Sequence, residues 1–184
     1  MKMNKNLFLL TLSQVFGFTA ATITVFLSGI IGSQITSIKF LSTLPTALSV
    51  VGTAICTILA AKIMSKIGRR LGFIFAALGS SAASLVATFA IYQQNFILFC
   101  ISNLILGMGM AFTHQYRFAA AESVEKEKAP KAISILMLSG IVAAFLGITS
   151  SNYTKNLVSD HLYVGSYLFL LQFLFLYLQS LESL

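Results

Sequence analysis

Charged residues are missing from long stretches of this sequence, and their absence strongly limits what the chain can fold into. No Asp, Glu, Lys or Arg lies between Lys5 and Lys39, or between Arg70 and Arg117. A helix needs roughly 20 apolar residues to cross a hydrocarbon core about 30 Å thick. The first stretch is therefore long enough for one crossing. The second holds two crossings, separated by the polar residues near 92–95.

Together with shorter charge-free stretches, these runs predict six transmembrane helices. Their expected bounds are 7–31, 41–64, 71–92, 96–119, 132–153 and 162–181. Only 9% of residues are charged, whereas a soluble domain carries roughly a quarter. The runs also lack the alternation of membrane barrel strands. We therefore predict an all-α membrane protein embedded in a lipid bilayer.

The basic residues predict the direction of the helices. With a cytoplasmic N-terminus, nine Lys and Arg residues lie on the cytoplasmic side and two, Lys39 and Lys155, on the other side, while Arg117 lies near the inner interface. Short loops rich in Lys and Arg remain in the cytoplasm. Both termini are therefore expected to be cytoplasmic. The net charge of +7 comes from Lys and Arg residues in short loops between spans, where they indicate topology. No nucleic acid partner is therefore expected.

The sequence contains none of the common catalytic or phosphate-binding motifs. It has no His-Glu-x-x-His, no nucleophile elbow and no Gly-Lys-Ser/Thr, and no acidic residue lies in the core of a predicted span. Cys56 and Cys100 lie inside predicted spans, where they are interpreted as packing residues. We expect neither catalytic residues nor a metal or cofactor, so an enzyme is not predicted.

A basic loop between the second and third predicted spans carries a recognisable motif. Gly68 permits a tight turn, and its basic neighbours are expected to hold the turn at the inner membrane surface. The motif residues are Ser65, Lys66, Gly68, Arg69 and Arg70. They resemble the signature Gly-x-Leu-Ala-Asp-Arg-x-Gly-Arg-Lys-x-x-Leu of the major facilitator superfamily. In that family the aspartate helps to latch two transporter halves, and Ser65 stands in its place here.

The fourth and fifth predicted spans resemble further motifs of the same superfamily. Asn103, Gly107 and Gly109 align with Arg-x-x-x-Gly-x-Gly, so asparagine stands where many proton-coupled members have arginine. The region around Gly140 and Gly147 resembles the antiporter glycine motif, but isoleucine follows Gly147 where that motif has proline. The alternative for all four glycines is close helix packing in lipid.

These motifs and the number of spans make residues 1–184 similar to the N-terminal half of a bacterial transporter of this superfamily. The resemblance implies a 3+3 half-bundle of six helices in the bacterial inner membrane, with the C-terminal half absent from the chain. It also implies secondary active transport of an unidentified small solute, with a separate C-terminal half or a second copy as partner. The alternative is a non-transporting subunit or truncated remnant that only packs against a partner.

The fourth span also carries candidate residues for a solute path. Five residues, four of them polar or glycine, recur every three or four positions and predict one stripe along a helix. The stripe consists of Asn103, Gly107, Met110, His114 and Arg117. A polar stripe in a bilayer faces other helices or an aqueous cavity, where His114 and Arg117 are candidates for attracting an anion or moving a proton. The alternative for Arg117 is that its side chain extends to the cytoplasmic interface.

The first span presents a second candidate face. Gln14, Phe18 and Thr22 recur at every fourth residue, which places them on one side of a helix. They are candidates for lining the solute path, and the alternative is that Gln14 and Thr22 form hydrogen bonds between helices. The sixth span, by contrast, has Phe and Leu on every side and is expected to face lipid along most of its length.

Overall fold

The computed structural model describes residues 5–154 and 163–171. Its helices are α1 (Lys5–Ile35), α2 (Leu44–Ile67), α3 (Arg69–Tyr92), α4 (Phe96–Thr113), α5 (Tyr116–Glu122) and α6 (Ala129–Thr154), and residues 164–171 are also helical. Short 3-10 turns, Lys39–Leu41 and Lys126–Lys128, precede α2 and α6. In this part of the chain, five segments are long and apolar enough to cross a membrane.

The first, second, third and fifth predicted spans are present as helices whose ends differ by a few residues from the prediction. Several helices continue past the charge-free windows, and α2 includes both Lys62 and Lys66. A long basic side chain at a helix end can extend to the polar interface while its backbone remains helical. Charge therefore marks the position of the membrane better than it marks the last helical residue. Of the sixth predicted span, residue 162 and residues 172–181 lie outside the described residues, so the count of six remains a prediction.

The predicted span 96–119 is present as two consecutive helices. Helix α4 ends at Thr113 and α5 begins at Tyr116, although the combined stretch still has the length and composition of one membrane crossing. At the break, the N–H of Gln115 donates to the carbonyl of Phe112 at 2.9 Å, which is the tighter spacing of a 3-10 turn. The Thr113 hydroxyl also donates to the Met110 carbonyl at 2.7 Å. Such side-chain bonds compete with the regular helical pattern.

Helix α4 lies at the centre of the described bundle. It packs against α2, α3 and α1, while α1 packs along α6. Glycines make the α2–α4 approach close, because a Cβ added at Gly107 would collide with the Ser49 carbonyl and one at Gly52 with the Leu104 carbonyl. The central helix thus meets the backbone of its neighbour directly, as small residues allow in lipid.

The remaining motif glycines lie in three different environments. Gly109 lies against the Ser80 side chain of α3, so α4 also meets that helix closely. A Cβ at Gly147 would lie 2.8 Å from the Cβ of Thr22, which brings α6 against α1. At Gly140 no atom of the described residues lies within 4 Å of an added Cβ. Close packing therefore accounts for Gly109 and Gly147 but not for Gly140.

The described part of the sixth predicted span does not follow the expectation of a lipid-facing helix. Tyr167 and Leu170 are fully buried, and the Tyr167 carbonyl accepts a hydrogen bond of 2.9 Å from the Ser84 hydroxyl of α3. The Ser166 hydroxyl accepts one of 3.0 Å from Thr154 at the end of α6. A large aromatic residue followed three positions later by leucine provides a packing face, and residues 164–171 use it against α3 and α6.

Candidate solute-path site

A cavity of about 430 Å³ lies between α1, α4 and α6. Small-molecule sites in proteins commonly measure roughly 300–1,000 Å³, so its size suits a small organic solute. The walls are mainly apolar and include two phenylalanines. The lining residues are Phe18, Ala21, Thr22, Val25, Phe26, Met110, Thr113, His114 and Ile148.

A smaller cavity of about 160 Å³ adjoins the first. It is lined by Gln14, Phe18, Thr113, His114, Arg117, Leu136, Met137 and Gly140. Both cavities therefore share Phe18, Thr113 and His114. The rings of Phe18 and His114 meet edge to face, with centroids 5.7 Å apart and an interplanar angle of 84°. This pair of rings stands where the two cavities meet.

His114 occupies the break between α4 and α5. Its N–H donates to the Met110 carbonyl at 3.1 Å, and its carbonyl accepts a bond of 3.2 Å from Arg117 Nε, so its backbone groups are engaged. The ring nitrogen Nδ1 is buried and makes no hydrogen bond to any residue in the described ranges. A buried polar atom left in this way costs about 1–3 kcal/mol.

The other predicted path residues on α1 and α5 reach the cavities in different ways. Gln14 is only 5% exposed, and its Nε2 donates to the Leu136 carbonyl of α6 at 3.0 Å. The Thr22 hydroxyl donates to the Phe18 carbonyl of its own helix at 2.9 Å. The Arg117 side chain is exposed at the smaller cavity. Gln14 thus joins two helices and lines a cavity at once.

Asn103, the first residue of the predicted stripe along the fourth span, lines neither of these cavities. Asn103 is fully buried, its Oδ1 accepts a hydrogen bond of 2.6 Å from the Ser28 hydroxyl of α1, and its Nδ2 donates to the Phe99 carbonyl at 2.9 Å. Gly107 faces α2. Of the stripe, Met110, His114 and Arg117 border the cavities.

The basic loop motif forms a turn of one residue. Gly68 alone separates α2 from α3, with φ of 87° and ψ of 156°. Backbone angles of this kind are essentially restricted to glycine. The Ser65 hydroxyl donates to the Lys62 carbonyl within α2 at 2.8 Å, and the side chains of Lys66 and Arg70 are exposed.

An ion pair that sequence reasoning missed connects this turn to α5. Arg69 Nε donates to Glu122 Oε2 at 2.6 Å, and a second guanidinium nitrogen donates to Oε1 of the same carboxylate. Two parallel bonds of this kind give a directional contact. The sequence held a usable signal, since the loops that contain Arg69 and Glu122 were both expected on the cytoplasmic side. The pair borders a cavity of about 380 Å³ that also includes Ser65, Gly68 and Gln115.

Among the described residues, no group of three or more His, Cys, Asp or Glu side chains lies together as a metal site would require. The arrangement instead offers a mainly apolar chamber between α1, α4 and α6. Such a chamber can hold and orient a small molecule between three helices.

Comparison with known proteins agrees with this architecture. The family described as Major Facilitator Superfamily matches residues 7–178. The riboflavin transporter RfnT of Brucella anthropi is 33% identical over 164 residues, covering 89% of this chain and 41% of RfnT. The MFS-type transporters YdeG and YddS of Bacillus subtilis are 29% and 25% identical, each over 78% of this chain and 33% of its own length.

The chain thus spans between a third and about two-fifths of the length of these relatives. Its helical, membrane-spanning architecture and the match over nearly its whole length lead to one conclusion: the chain belongs to the major facilitator superfamily.

Proposed function

We propose that this chain is the N-terminal half of a secondary active transporter and that the cavities between α1, α4 and α6 form one wall of its solute path. The observation that carries the proposal is the pair of adjoining cavities that meet at Phe18 and His114. In this superfamily the solute site lies near the bilayer midplane, between two six-helix halves. The open side of the cavities is then completed by a C-terminal half or by a second copy of the chain.

Riboflavin is the first solute to test. The relative RfnT carries riboflavin in its name, and it matches 89% of this chain. The larger cavity suits a flat ring system, because Phe18, Phe26 and Met110 provide apolar contact surface. Of the other predicted path residues, Thr22, Gln14 and Arg117 border the cavities and are retained in the proposal.

The proposed transporter lies in a bacterial inner membrane with both termini in the cytoplasm. Nine Lys and Arg residues on the proposed cytoplasmic side, against two on the other side, support this orientation. The turn at Gly68 and the carboxylate of Glu122 lie at the same end of the bundle, because Arg69, next to the turn, contacts Glu122. We call this the basic end and propose that it faces the cytoplasm.

A chimera tests the proposal. Residues 1–184 are fused to the segment of RfnT that follows its matched region, and the fusion is produced in a bacterium that neither makes nor imports riboflavin. We expect saturable riboflavin uptake from the chimera. The chain alone is expected to give none, because alternating access requires two halves that move around the site.

Two controls make the result decisive. The same RfnT segment without residues 1–184 should be inactive, and RfnT itself should be active. A chimera that reaches the membrane in a folded form but moves no riboflavin would argue against a flavin path. It would favour the alternative of a subunit or remnant that only packs against a partner. Saturable uptake by the isolated monomer would contradict the half-transporter proposal.

A further inference from the structure

We infer that the basic end binds a phosphate group, in the cavity of about 380 Å³ beside the Arg69–Glu122 pair. The phosphate belongs to the headgroup of an anionic phospholipid or is a free phosphate ion, since the same protein groups recognise both. The described residues that line this cavity line neither of the solute-path cavities. The inference therefore stands independently of the proposed solute path.

The start of α3 provides N–H groups for an anion. The first N–H groups of a helix have no carbonyl partner within it, and they form the positive end of the helix dipole. Gly68 precedes α3, and no side chain caps the helix there. The first bond of the helix joins the Gly72 N–H to the Gly68 carbonyl at 3.2 Å. Because Gly68 and Arg69 both line the cavity, a helix start that favours phosphate borders it.

The side chain of Gln115 is a second, independent observation. It lines the same cavity from the break between α4 and α5. Gln115 is only 7% exposed, yet its side-chain amide makes no hydrogen bond within the described ranges. Unlike His114 Nδ1, its amide atoms retain accessible surface. An amide NH₂ group donates two hydrogen bonds, and a ligand with oxygen acceptors would satisfy this otherwise unpaired group.

The charges around the cavity also favour an anion. Among the described residues, Glu122 is the only acidic residue that lines it, and two bonds from Arg69 engage its carboxylate. Ser65 stands where the superfamily motif has aspartate, so it adds no second carboxylate. Lys62 and Lys66 follow lining residues of α2 in the chain, and both are exposed. Positive charge therefore exceeds negative charge at this cavity.

The cavity has an apolar side as well, formed by Ala61 and Met64 of α2. In a phospholipid at the membrane surface, the phosphate lies close to the acyl chains. Basic pockets on the cytoplasmic side of membrane proteins bind headgroups of this kind. We therefore expect an anionic phospholipid to bind more tightly than inorganic phosphate.

Binding to the purified full chain in detergent tests the inference. Native mass spectrometry compares phosphatidylglycerol, which is anionic, with phosphatidylcholine of the same chain length, and calorimetry measures the binding of inorganic phosphate. Gln115→Leu removes the amide, and we expect it to bind phosphatidylglycerol about tenfold more weakly. Glu122→Gln removes the competing carboxylate and should bind it more tightly. Lys131→Gln is the control for charge at the same end of the bundle, because Lys131 does not line the cavity, and it should bind like the native chain.

The pattern across the variants decides the result. A preference for phosphatidylglycerol that falls in Gln115→Leu and persists in Lys131→Gln supports a lipid headgroup as the source of the phosphate. Inorganic phosphate that binds with the same pattern, while the two lipids bind equally, supports a free phosphate ion.

Three results would overturn the inference. They are no binding of either probe, a loss in Gln115→Leu no larger than in Lys131→Gln, and weaker binding by Glu122→Gln than by the native chain. Gel filtration of each variant shows that the comparison is made on folded protein. Riboflavin uptake by the chimera tests the transport function separately.

Discussion

Gly68 illustrates how a single residue can determine a connection between two membrane helices. It is the only residue between α2 and α3, and its positive φ of 87° combined with an extended ψ of 156° excludes most side chains. No atom of the described residues lies within 4 Å of an added Cβ, so space does not require the glycine. The backbone conformation alone requires a glycine at this position.

Replacement of Gly68 by alanine should therefore destabilise the protein. We expect Gly68→Ala to lower the free energy of unfolding by about 1–3 kcal/mol, the usual cost of a side chain in this backbone region. The loss is measured as a lower midpoint of thermal unfolding in detergent. Gly79→Ala is a matched control, because an added Cβ there also has open space, but the residue is helical. Equal midpoints for the two variants would contradict the conformational explanation.

Individual path residues were predictable to different degrees. Helical spacing predicted that Gln14 and Thr22 share one side of α1, and each borders one of the two cavities. Asn103 borders neither of the two cavities, and its Oδ1 accepts a hydrogen bond from the Ser28 hydroxyl. Spacing gives the face of a helix, but it does not give which helix covers that face. Buried hydrogen-bond partners such as Ser28 depend on the crossing of two helices, which a single sequence does not specify.

At the scale of the helices, the crossing of α2 and α4 depends on a reciprocal pair of glycines. Gly107 of α4 lies against the backbone of Ser49, and Gly52 of α2 lies against the backbone of Leu104. The Thr53 hydroxyl also donates to the Gly107 carbonyl at 2.9 Å. A side chain at either glycine would push the two helices apart, and this bond would lengthen with them.

Gly107→Ala should consequently destabilise the bundle by about 1–3 kcal/mol, as overpacking of a close contact does. Gly140→Ala is the control, since no described atom lies within 4 Å of its added Cβ, and it should leave stability nearly unchanged. Unfolding in increasing denaturing detergent, followed by circular dichroism, compares the two. A Gly107 variant as stable as the Gly140 variant would show that α2 and α4 can separate without cost.

The helix break at His114 shows where prediction of elements from sequence stops. Helices α1, α2, α3 and α6 followed from charge-free length, because the membrane requires continuous backbone hydrogen bonding. The break after Thr113 has no glycine or proline to announce it. It arises from local bonds at the helix end, including the Thr113 hydroxyl on the Met110 carbonyl. Non-helical backbone is tolerated within a membrane where it borders a cavity, as it does here.

For the whole molecule, the charge asymmetry makes a direct prediction. Reporter enzymes that are active only outside the cytoplasm should be inactive when fused at residue 125 or after Leu184, and active when inserted near residue 94. The reason is that loops rich in Lys and Arg are retained in the cytoplasm, and nine such residues are expected on that side against two on the other. An active reporter after Leu184 would mean that the number of spans is not even.

The class of the molecule was more accessible from sequence than its site. The loop around Gly68 and the predicted spans already resembled the superfamily that the comparison now shows over residues 7–178. The cavities were not predictable as such, because their walls come from three helices that are distant in sequence. The Arg69–Glu122 pair likewise joins two loops that become neighbours only after the bundle forms.

The one-residue turn also has a consequence for biogenesis. A single residue spans at most about 3.6 Å, far less than a bilayer about 30 Å thick. If Ile67 lies at the membrane surface, Arg69 must begin α3 at the same surface. The connection is too short for α3 to stay on one side of the membrane while α2 is inserted. We therefore expect α2 and α3 to leave the translocon as one hairpin, whose basic tip never crosses the membrane.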